Sequence, residues 1–285
     1  LSPFEKDHYI SSVQCLHTRP SRFSSAATLH DDFAYVHFAV GNILHNVAAF
    51  LPWHRYFVSV YEKMLREECH FNGDMVYWDW TLDWKHPDAA EVFEPISGFG
   101  GNGNVSGALT VGQARCVVDG PFAGLQLQYF DDTSQKPHCL SRNFNNAVQP
   151  GTAGYKEGRL DGAPYRPEVL KKVLAEKTYD GFRAALEDGP HNAIPLGLGG
   201  DFAAFTAPND PLFFLHHVQL DRLWWIWQET APSERLMQYN GMRNVSGVEV
   251  PATLDDVLPM TGLSHSATVR DVMDIRNDPL CYTYL

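Results

Sequence analysis

Two histidine-bearing segments with helical apolar patterns constrain the fold of this chain more than any other feature. In the first, His45 lies nine residues before His54, which belongs to the run FLPWHR at 50–55. In the second, the run DPLFFLHH at 210–217 is followed four residues later by Asp221. Apolar residues recur at helical spacing around both groups. Because neutral imidazole is a common metal ligand, the pattern predicts a metal site inside an apolar helical bundle.

The length of the chain allows one large domain or two small ones, and its charge and hydropathy argue against two classes of partner. Hydrophobic residues make up 44% of the 285 positions and aromatic residues 13%, which is ample for a packed core. The net charge of −12 argues against non-specific nucleic-acid binding, which needs a basic surface. No apolar run reaches about 18 residues, so no membrane-spanning helix is expected.

Cysteines and glycosylation sequons together predict a secreted protein. The five cysteines form no Cys-x-x-Cys pair, which argues against a thiolate zinc site or a thioredoxin-like motif. Cys116 and Cys139 flank one loop-rich segment and are the expected disulfide pair. Two sequons begin at Asn104 and Asn244. A chain that starts at Leu1 with a helix signal is consistent with processing of a secretory precursor.

The remaining local signals predict a mainly α fold with long loops and a few short strands. The capping box SPFE at 2–5 begins a helix that runs to about residue 17. Residues 97–165 are rich in glycine, proline, serine, asparagine and aspartate, which predicts extended loops that wall a pocket. Further helices are expected at 29–40, 52–70 and 167–188, and from Asp210-Pro211, with Asp210 as N-cap.

Helix geometry allows three histidines near the first segment to share one ion. On one straight helix, His37 and His45 would lie about 12 Å apart along the axis, too far for a common ion. Gly41-Asn42 interrupts that helix, so His45 can fold back from a loop toward His54 in the first turn of the next helix. Spacing alone leaves two interpretations open, a shared ion or three separately packed histidines.

The second segment offers two adjacent histidines and a carboxylate. His216 and His217 point about 100° apart on a helix, so only one of them is expected to face a given ion. Periodicity does not indicate which one. Asp221 lies one turn after His217 and is either a hydrogen-bond acceptor for a ligand or a structural anion.

These segments resemble the tyrosinase and catechol oxidase family, the polyphenol oxidases. His45, the run FLxWHR and Glu62 match the first signature of the family, and DPxFFxxHxxxD at 210–221 matches the second. The run YWDW at 77–80 and the Tyr-x-Tyr motif at 282–284 are also similar to family segments. The resemblance covers nearly the whole chain, is strongest to the short fungal members, and implies that the C-terminal lid domain of longer members is absent.

The resemblance implies a single catalytic domain over residues 1–285, with a four-helix bundle that holds a binuclear copper site. His37, His45 and His54 would bind the first copper, and His191 and His217 the second. The implied activity is oxidation of phenols and o-diphenols by dioxygen to o-quinones. Ile43 replaces the cysteine that some members cross-link to a ligand, so no thioether is expected.

The same resemblance suggests three residues that assist catalysis near the second copper. Asn192 corresponds to a position thought to help deprotonate phenols. Glu187 is a weaker candidate to hold an assisting water, and a solvated carboxylate at a helix end is the competing interpretation. Ala204, thirteen residues before His217, occupies the place of a gatekeeper and would leave the pocket open to bulky phenols.

The sequence departs from the family pattern at one position. Pro195 stands where the resemblance implies the third histidine ligand of the second copper. Proline has no donor atom. Three alternatives follow: another donor substitutes, such as His216 or a residue of the loop-rich segment; two histidines bind copper weakly; or only the first copper remains. The alternative function is therefore a non-enzymatic dioxygen-binding or single-copper protein on the same fold.

Overall fold

The computed structural model describes residues 1–148 and 151–284, and within them the protein is mainly helical, as expected. No helix of these residues combines the length and the apolar character needed to cross a membrane. The α-helices are α1 (Pro3–Leu16), α2 (Leu29–Val40), α3 (Phe50–Cys69), α4 (Pro167–Leu174), α5 (Tyr179–Leu186), α6 (Asn192–Leu198), α7 (Leu212–Glu229) and α8 (Pro232–Arg235).

Side-chain caps explain where the first two helices begin. At α1 the Ser2 hydroxyl accepts from the backbone N–H of Glu5, whose carboxylate accepts from the Ser2 N–H in return. Thr28 and Asp31 form the same reciprocal pair at the start of α2. Each capping box satisfies backbone donors that a helix leaves without intrahelical partners. The expected bounds of both helices are confirmed.

Three predicted helix bounds need correction. Helix α3 begins at Phe50, two residues before Pro52, because proline fits within the first helical turn as well as at its first position. The single helix expected at 167–188 is two helices, since Thr178 caps a new one with its side chain. Helix α7 begins at Leu212, and the Asp210 carboxylate still accepts from the Leu212 N–H at 3.1 Å.

The four-helix bundle is confirmed, with α2, α3, α6 and α7 around a buried aromatic core. The ring of Tyr61 on α3 stacks on Phe214 of α7 at 3.4 Å between centroids, and Phe33 of α2 meets Tyr61 edge-on at 5.1 Å. All three side chains are fully buried. His191, the residue directly before α6, joins that helix to this core, since its ring centroid lies 4.8 Å from that of Phe50 on α3.

The loop-rich region carries short antiparallel hairpins, as expected. One disulfide, Cys116–Cys139, joins two of its strands and confirms the expected pair. A second disulfide, Cys15–Cys69, fastens the end of α1 to the end of α3 and was not predicted; Cys281 is an exposed free thiol.

The described residues of the whole chain form four pairs of short antiparallel strands. The pairs are β1 (Arg115–Cys116) with β4 (Ser141–Arg142), β2 (Gln126–Tyr129) with β3 (Gln135–Cys139), β5 (Met242–Val245) with β6 (Val248–Pro251), and β7 (Val257–Leu258) with β8 (Ala267–Thr268).

A buried ion pair fixes the segment that leads from α6 toward α7. The Asp201 carboxylate accepts from His138 Nε2 at 2.8 Å, from Asn209 Nδ2 at 2.9 Å, and from the N–H and hydroxyl of Ser141. The other ring nitrogen of His138 donates to the Lys136 carbonyl at 2.6 Å. Since both ring nitrogens face acceptors, the imidazolium form satisfies both contacts. Burial opposes that charge, but the hydrogen bond and charge of Asp201 outweigh it and raise the pKa of His138.

This raised pKa predicts that the protein loses stability as the solution becomes alkaline. A histidine with a folded-state pKa above its unfolded value of about 6.5 contributes stability that is complete below that value and is lost as pH rises through the folded pKa. The difference in melting temperature between wild type and His138→Gln, measured from pH 5 to 9, should narrow as pH rises. A difference that stays constant across this range would contradict the raised pKa of His138.

Candidate metal centre

Three histidines of α2, α3 and the loop between them converge, as the interpretation of a shared ion requires. His37, His45 and His54 each place one ring nitrogen within 4.8 Å of the others. Helix α2 ends at Val40, and a short 3₁₀ turn over Gly41–Ile43 reverses the chain so that His45 returns toward His54. The helix break at Gly41 therefore has the role that the sequence predicts.

Hydrogen bonds to backbone carbonyls set the same tautomer on all three rings. The Nδ1 of His37 donates to the Phe205 carbonyl at 2.6 Å, that of His45 to Gly41 at 3.0 Å, and that of His54 to Phe50 at 2.7 Å. A neutral imidazole that donates through Nδ1 carries a lone pair on Nε2. Second hydrogen bonds of this kind orient metal-binding histidines and raise their basicity.

The two closest lone pairs point at each other, which is the strongest sign that a cation belongs between them. Nε2 of His37 and Nε2 of His54 are 3.2 Å apart, and the tautomers leave neither nitrogen a proton to share. Burial lowers the pKa of His37 to about 3 and that of His54 well below its usual range, so a proton does not fill the gap near neutral pH. Two nitrogens about 2.0 Å from one tetrahedral ion lie about 3.3 Å apart, so the donor set fits a metal.

A second cluster combines His191 with both histidines of the DPLFFLHH run. His191, His216 and His217 also place one nitrogen each within 4.8 Å of one another, and all three side chains are buried. Both histidines of the adjacent pair belong to this one candidate donor set, whereas only one of them was expected to face a given ion. Backbone directions 100° apart do not fix ring positions, because rotation about χ1 and χ2 brings the two ring centroids within 5.2 Å.

Of the three alternatives for the missing ligand, the geometry favours His216 as the substitute donor. Its Nε2 is buried and has no hydrogen-bond partner among the described residues, and the same holds for Nδ1 of His217. His191 donates from Nδ1 to the Asn192 side-chain oxygen at 2.9 Å, which leaves its Nε2 as a lone pair. The two clusters adjoin, since the rings of His54 and His217 stack at 4.2 Å.

Two prolines shape the backbone around His191. Residues Glu187–His191 form a π-helical turn that contains Pro190, and α6 continues through Pro195 to Leu198. Each proline removes a backbone N–H and with it one helical hydrogen bond, and a π turn is a common way to accommodate such a break. A purely local interpretation would end a helix at Pro195. In the structure this residue instead lies within α6.

Glu187 is buried and links the two clusters, so the solvated interpretation of this carboxylate is wrong. One of its oxygens accepts from the backbone N–H of Asn46 at 2.7 Å, and the other accepts from Arg183 at 2.9 Å. Burial raises the pKa of Glu187 to about 7, although the Asn46 and Arg183 contacts act in the opposite direction. The first contact holds the residue after His45, where Asn46 adopts a left-handed backbone conformation.

Phe205, which the sequence interpretation did not identify, lies beside the first cluster. Ala204, the expected gatekeeper, is half-buried, whereas the neighbouring Phe205 side chain is 38% exposed and its ring is 5.5 Å from that of His45. A Cβ added to Gly41 would lie 2.7 Å from this ring, so the glycine makes room for it. The gatekeeper role of Ala204 stays a prediction.

A buried ion pair behind the ligands ties α3 to α7. Arg55, which follows His54, donates to Asp221, and this carboxylate also accepts from the hydroxyls of Tyr282 and Tyr284. The guanidinium lies 3.6 Å from the centroid of Trp224. Of the two roles considered for Asp221, the structural one is therefore confirmed by its contacts.

Comparison with known proteins agrees with this geometry. A profile described as the common central domain of tyrosinase matches residues 20–230. Tyrosinase ustQ of Aspergillus flavus is 44% identical over 286 residues, which span this whole chain and 77% of that protein. Tyrosinase-like protein phomQ2 of Diaporthe leptostromiformis is 43% identical, across the whole chain and 71% of its relative.

Solved structures show the same fold. A mutant polyphenol oxidase from Thermothelomyces thermophila has a TM-score of 0.78 and 28% identity, with coverage of this whole chain and 86% of that one. A tyrosinase from Burkholderia thailandensis shares the fold at a TM-score of 0.63 and 18% identity, over 99% of this chain and 69% of that one. Both histidine clusters lie within the matched residues 20–230, and the chain belongs to the tyrosinase family.

Proposed function

We propose that this protein is a copper-dependent oxidase that converts phenols and o-diphenols to o-quinones with dioxygen. The observation that supports the proposal best is the pair of facing lone pairs on His37 and His54 at 3.2 Å, in contact with a second histidine cluster through the stacked His54 and His217 rings. Similar proteins are named as oxidases, among them N-acetyl-6-hydroxytryptophan oxidase of Emericella nidulans at 30% identity.

The protein supplies position, neutral ligands and a dry setting for this chemistry. Two bound copper ions would supply the redox capacity that no side chain offers. Each o-diphenol loses two electrons and two protons, so one dioxygen oxidises two substrate molecules and leaves as two waters. Burial lowers the pKa of His191 to about 3, which keeps this ring in the neutral form that a metal requires.

Through their observed contacts, Asn192 and Glu187 orient histidines of the two clusters. Asn192 fixes the tautomer of His191, and Glu187 holds the loop of His45 against the turn that carries His191. Their assistance in phenol deprotonation stays a prediction. A substitution at either residue should therefore affect metal affinity as well as turnover, which separates this orienting role from a pure proton-transfer role.

Phe205 is expected to restrict the size of the phenol that reaches the first cluster. Phe205→Ala keeps the backbone carbonyl that orients His37 but removes the ring beside His45. We expect kcat/KM for bulky 4-substituted catechols, relative to unsubstituted catechol, to rise on the order of 10-fold. Gly41→Ala is the companion variant, because its methyl group pushes the ring aside without loss of the aromatic side chain. An unchanged substrate ratio in both variants would contradict this role.

The function is tested by copper content and oxygen stoichiometry on the same preparation. Copper-loaded protein should contain two ions per chain and consume one dioxygen for every two o-quinones formed from catechol, with monophenols assayed in parallel. Dioxygen binding without quinone formation would instead support the dioxygen-binding alternative. One copper per chain that persists under excess copper would support the single-copper alternative, and either result would refute the proposal.

We also propose that the protein is secreted. Two disulfides and two exposed sequon asparagines, Asn104 and Asn244, support an oxidising, glycan-bearing compartment. Protein recovered from the medium of its producing cells should lose mass on treatment with a glycosidase that releases N-glycans. Recovery from the cell interior alone, with both asparagines unmodified, would refute this localisation.

A further inference from the structure

A buried tryptophan controls the ring of His216 in a way that differs from every other oriented histidine of the centre. The indole Nε1–H of Trp80 donates to Nδ1 of His216 at 3.2 Å, and both side chains are at most 1% exposed. An indole nitrogen is only a donor, so Nδ1 must be the acceptor. In the neutral ring the proton therefore resides on Nε2, which has no partner among the described residues.

The other histidines of the centre whose Nδ1 makes a hydrogen bond have the opposite tautomer, with the proton on Nδ1. His37, His45 and His54 donate from Nδ1 to backbone carbonyls, and His191 donates to the Asn192 side chain. Those four rings have a free lone pair on Nε2 before any ion arrives. His216 alone among these oriented rings holds its proton where the others hold a lone pair.

Coordination by His216 costs the Trp80 hydrogen bond whichever nitrogen binds. If Nδ1 is the ligand, the ion takes the lone pair that the indole N–H occupies. If Nε2 is the ligand, its proton moves to Nδ1, and two N–H groups then face each other in a dry site. In either case a hydrogen bond that stabilises the metal-free protein is absent from the loaded state, and the binding free energy is reduced by its value.

We propose that Trp80 sets the affinity of the second metal site by holding His216 in its non-coordinating state, so that the second ion binds more weakly than the first. The inference rests on the proposed copper centre and goes beyond it, since it makes the two sites unequal and assigns the inequality to one residue. Trp80 is a positioning residue, because it acts through His216 and does not itself reach the ion.

The variant Trp80→Phe removes the N–H and keeps an aromatic ring. Copper(II) should be titrated into metal-free full-length protein in competition with a chelator, with bound copper measured by mass spectrometry. Wild type should show two unequal dissociation constants. In Trp80→Phe the weaker one should tighten by about three- to tenfold, the net value of one hydrogen bond, and the tighter one should not change.

Trp78→Phe is a matched control from the same segment. Trp78 is also buried, but its Nε1–H donates to Asp83 rather than to a histidine, so this variant loses a similar volume without affecting His216. Both copper constants should stay at their wild-type values. A second control places Trp80→Phe in a His216→Gln background, where the gain in affinity should disappear because the ring through which it acts is absent.

A spectroscopic measurement keeps the inference testable if a variant folds poorly. In nitrogen-15 spectra of metal-free wild type, the His216 imidazole, identified by the signal that disappears in His216→Gln, should show a bare Nδ1 and a protonated Nε2, and this signal should change in Trp80→Phe while that of His30 stays. Equal copper constants in wild type, or no tightening in Trp80→Phe, would overturn the role of Trp80 while leaving the copper oxidase intact. Absence of any tightly bound copper would instead overturn the proposed function and this inference together.

Discussion

Replacing His54 with alanine is expected to abolish tight binding of the first copper and to lower catechol oxidation by at least about 100-fold. Loss of a residue that merely orients a ligand typically reduces metal affinity about 10- to 100-fold, and removal of a ligand should cost more. His54 also stacks on His217 at 4.2 Å, so the second cluster loses a neighbour at the same time. Copper content and oxygen uptake of the variant give the result directly.

His30→Ala is the matched control for this prediction. His30 is a fully buried histidine of α2 that donates from Nε2 to the Pro208 carbonyl, and it belongs to neither cluster. Its loss should lower the melting temperature but preserve the additional stabilisation that copper gives by binding the folded state. In His54→Ala that copper-dependent shift should vanish. A normal copper shift in His54→Ala would remove this residue from the ligand set.

The first cluster could be predicted from sequence because its geometry is nearly local. His37, His45 and His54 lie within eighteen consecutive residues, and the helix break at Gly41 is visible in the sequence. What the sequence left open was whether the three share an ion, and the facing nitrogens at 3.2 Å favour that interpretation. Two of the three carbonyls that fix the tautomers are also local, since they belong to Gly41 and Phe50.

The second cluster could not be predicted fully, because its decisive contacts join residues far apart in the chain. The ring of His216 takes its direction from Trp80, which lies 136 residues earlier. Glu187 is buried rather than solvated because the N–H of Asn46, 141 residues away, faces it. Phe205 reaches the first cluster only because a glycine at position 41 leaves space for its ring. Helical periodicity contains none of these tertiary facts.

The largest effect on stability is expected at Asp221, a residue that does not contact either cluster's ring nitrogens. Its carboxylate accepts from the Arg55 guanidinium and from the hydroxyls of Tyr282 and Tyr284, and the Arg55 and Asp221 side chains are at most 2% exposed. Asp221→Leu leaves the arginine charge buried without a counter-charge. The expected loss is about 3–5 kcal/mol in the free energy of unfolding, measured by denaturant titration.

A second substitution separates charge from packing at this pair. Arg55→Met combined with Asp221→Leu removes both charges and should recover much of the stability that Asp221→Leu loses, because no buried ion remains unpaired. Glu67→Gln breaks the exposed pair with Lys63 on the same helix and should cost less than about 1 kcal/mol. If Asp221→Leu is no more costly than Glu67→Gln, the pair does not hold α3 to α7.

The position of this pair links stability to the metal centre. Arg55 directly follows His54, and Asp221 lies one helical turn after His217, so the pair fixes the relative placement of the two helices that carry a ligand of each cluster. Loosening it should move His54 and His217 relative to each other and weaken both metal sites. We therefore expect Asp221→Leu to reduce the affinity for both coppers, whereas Trp80→Phe changes the second alone. Parallel copper titrations of the two variants distinguish a scaffold that positions both sites from a contact that controls one.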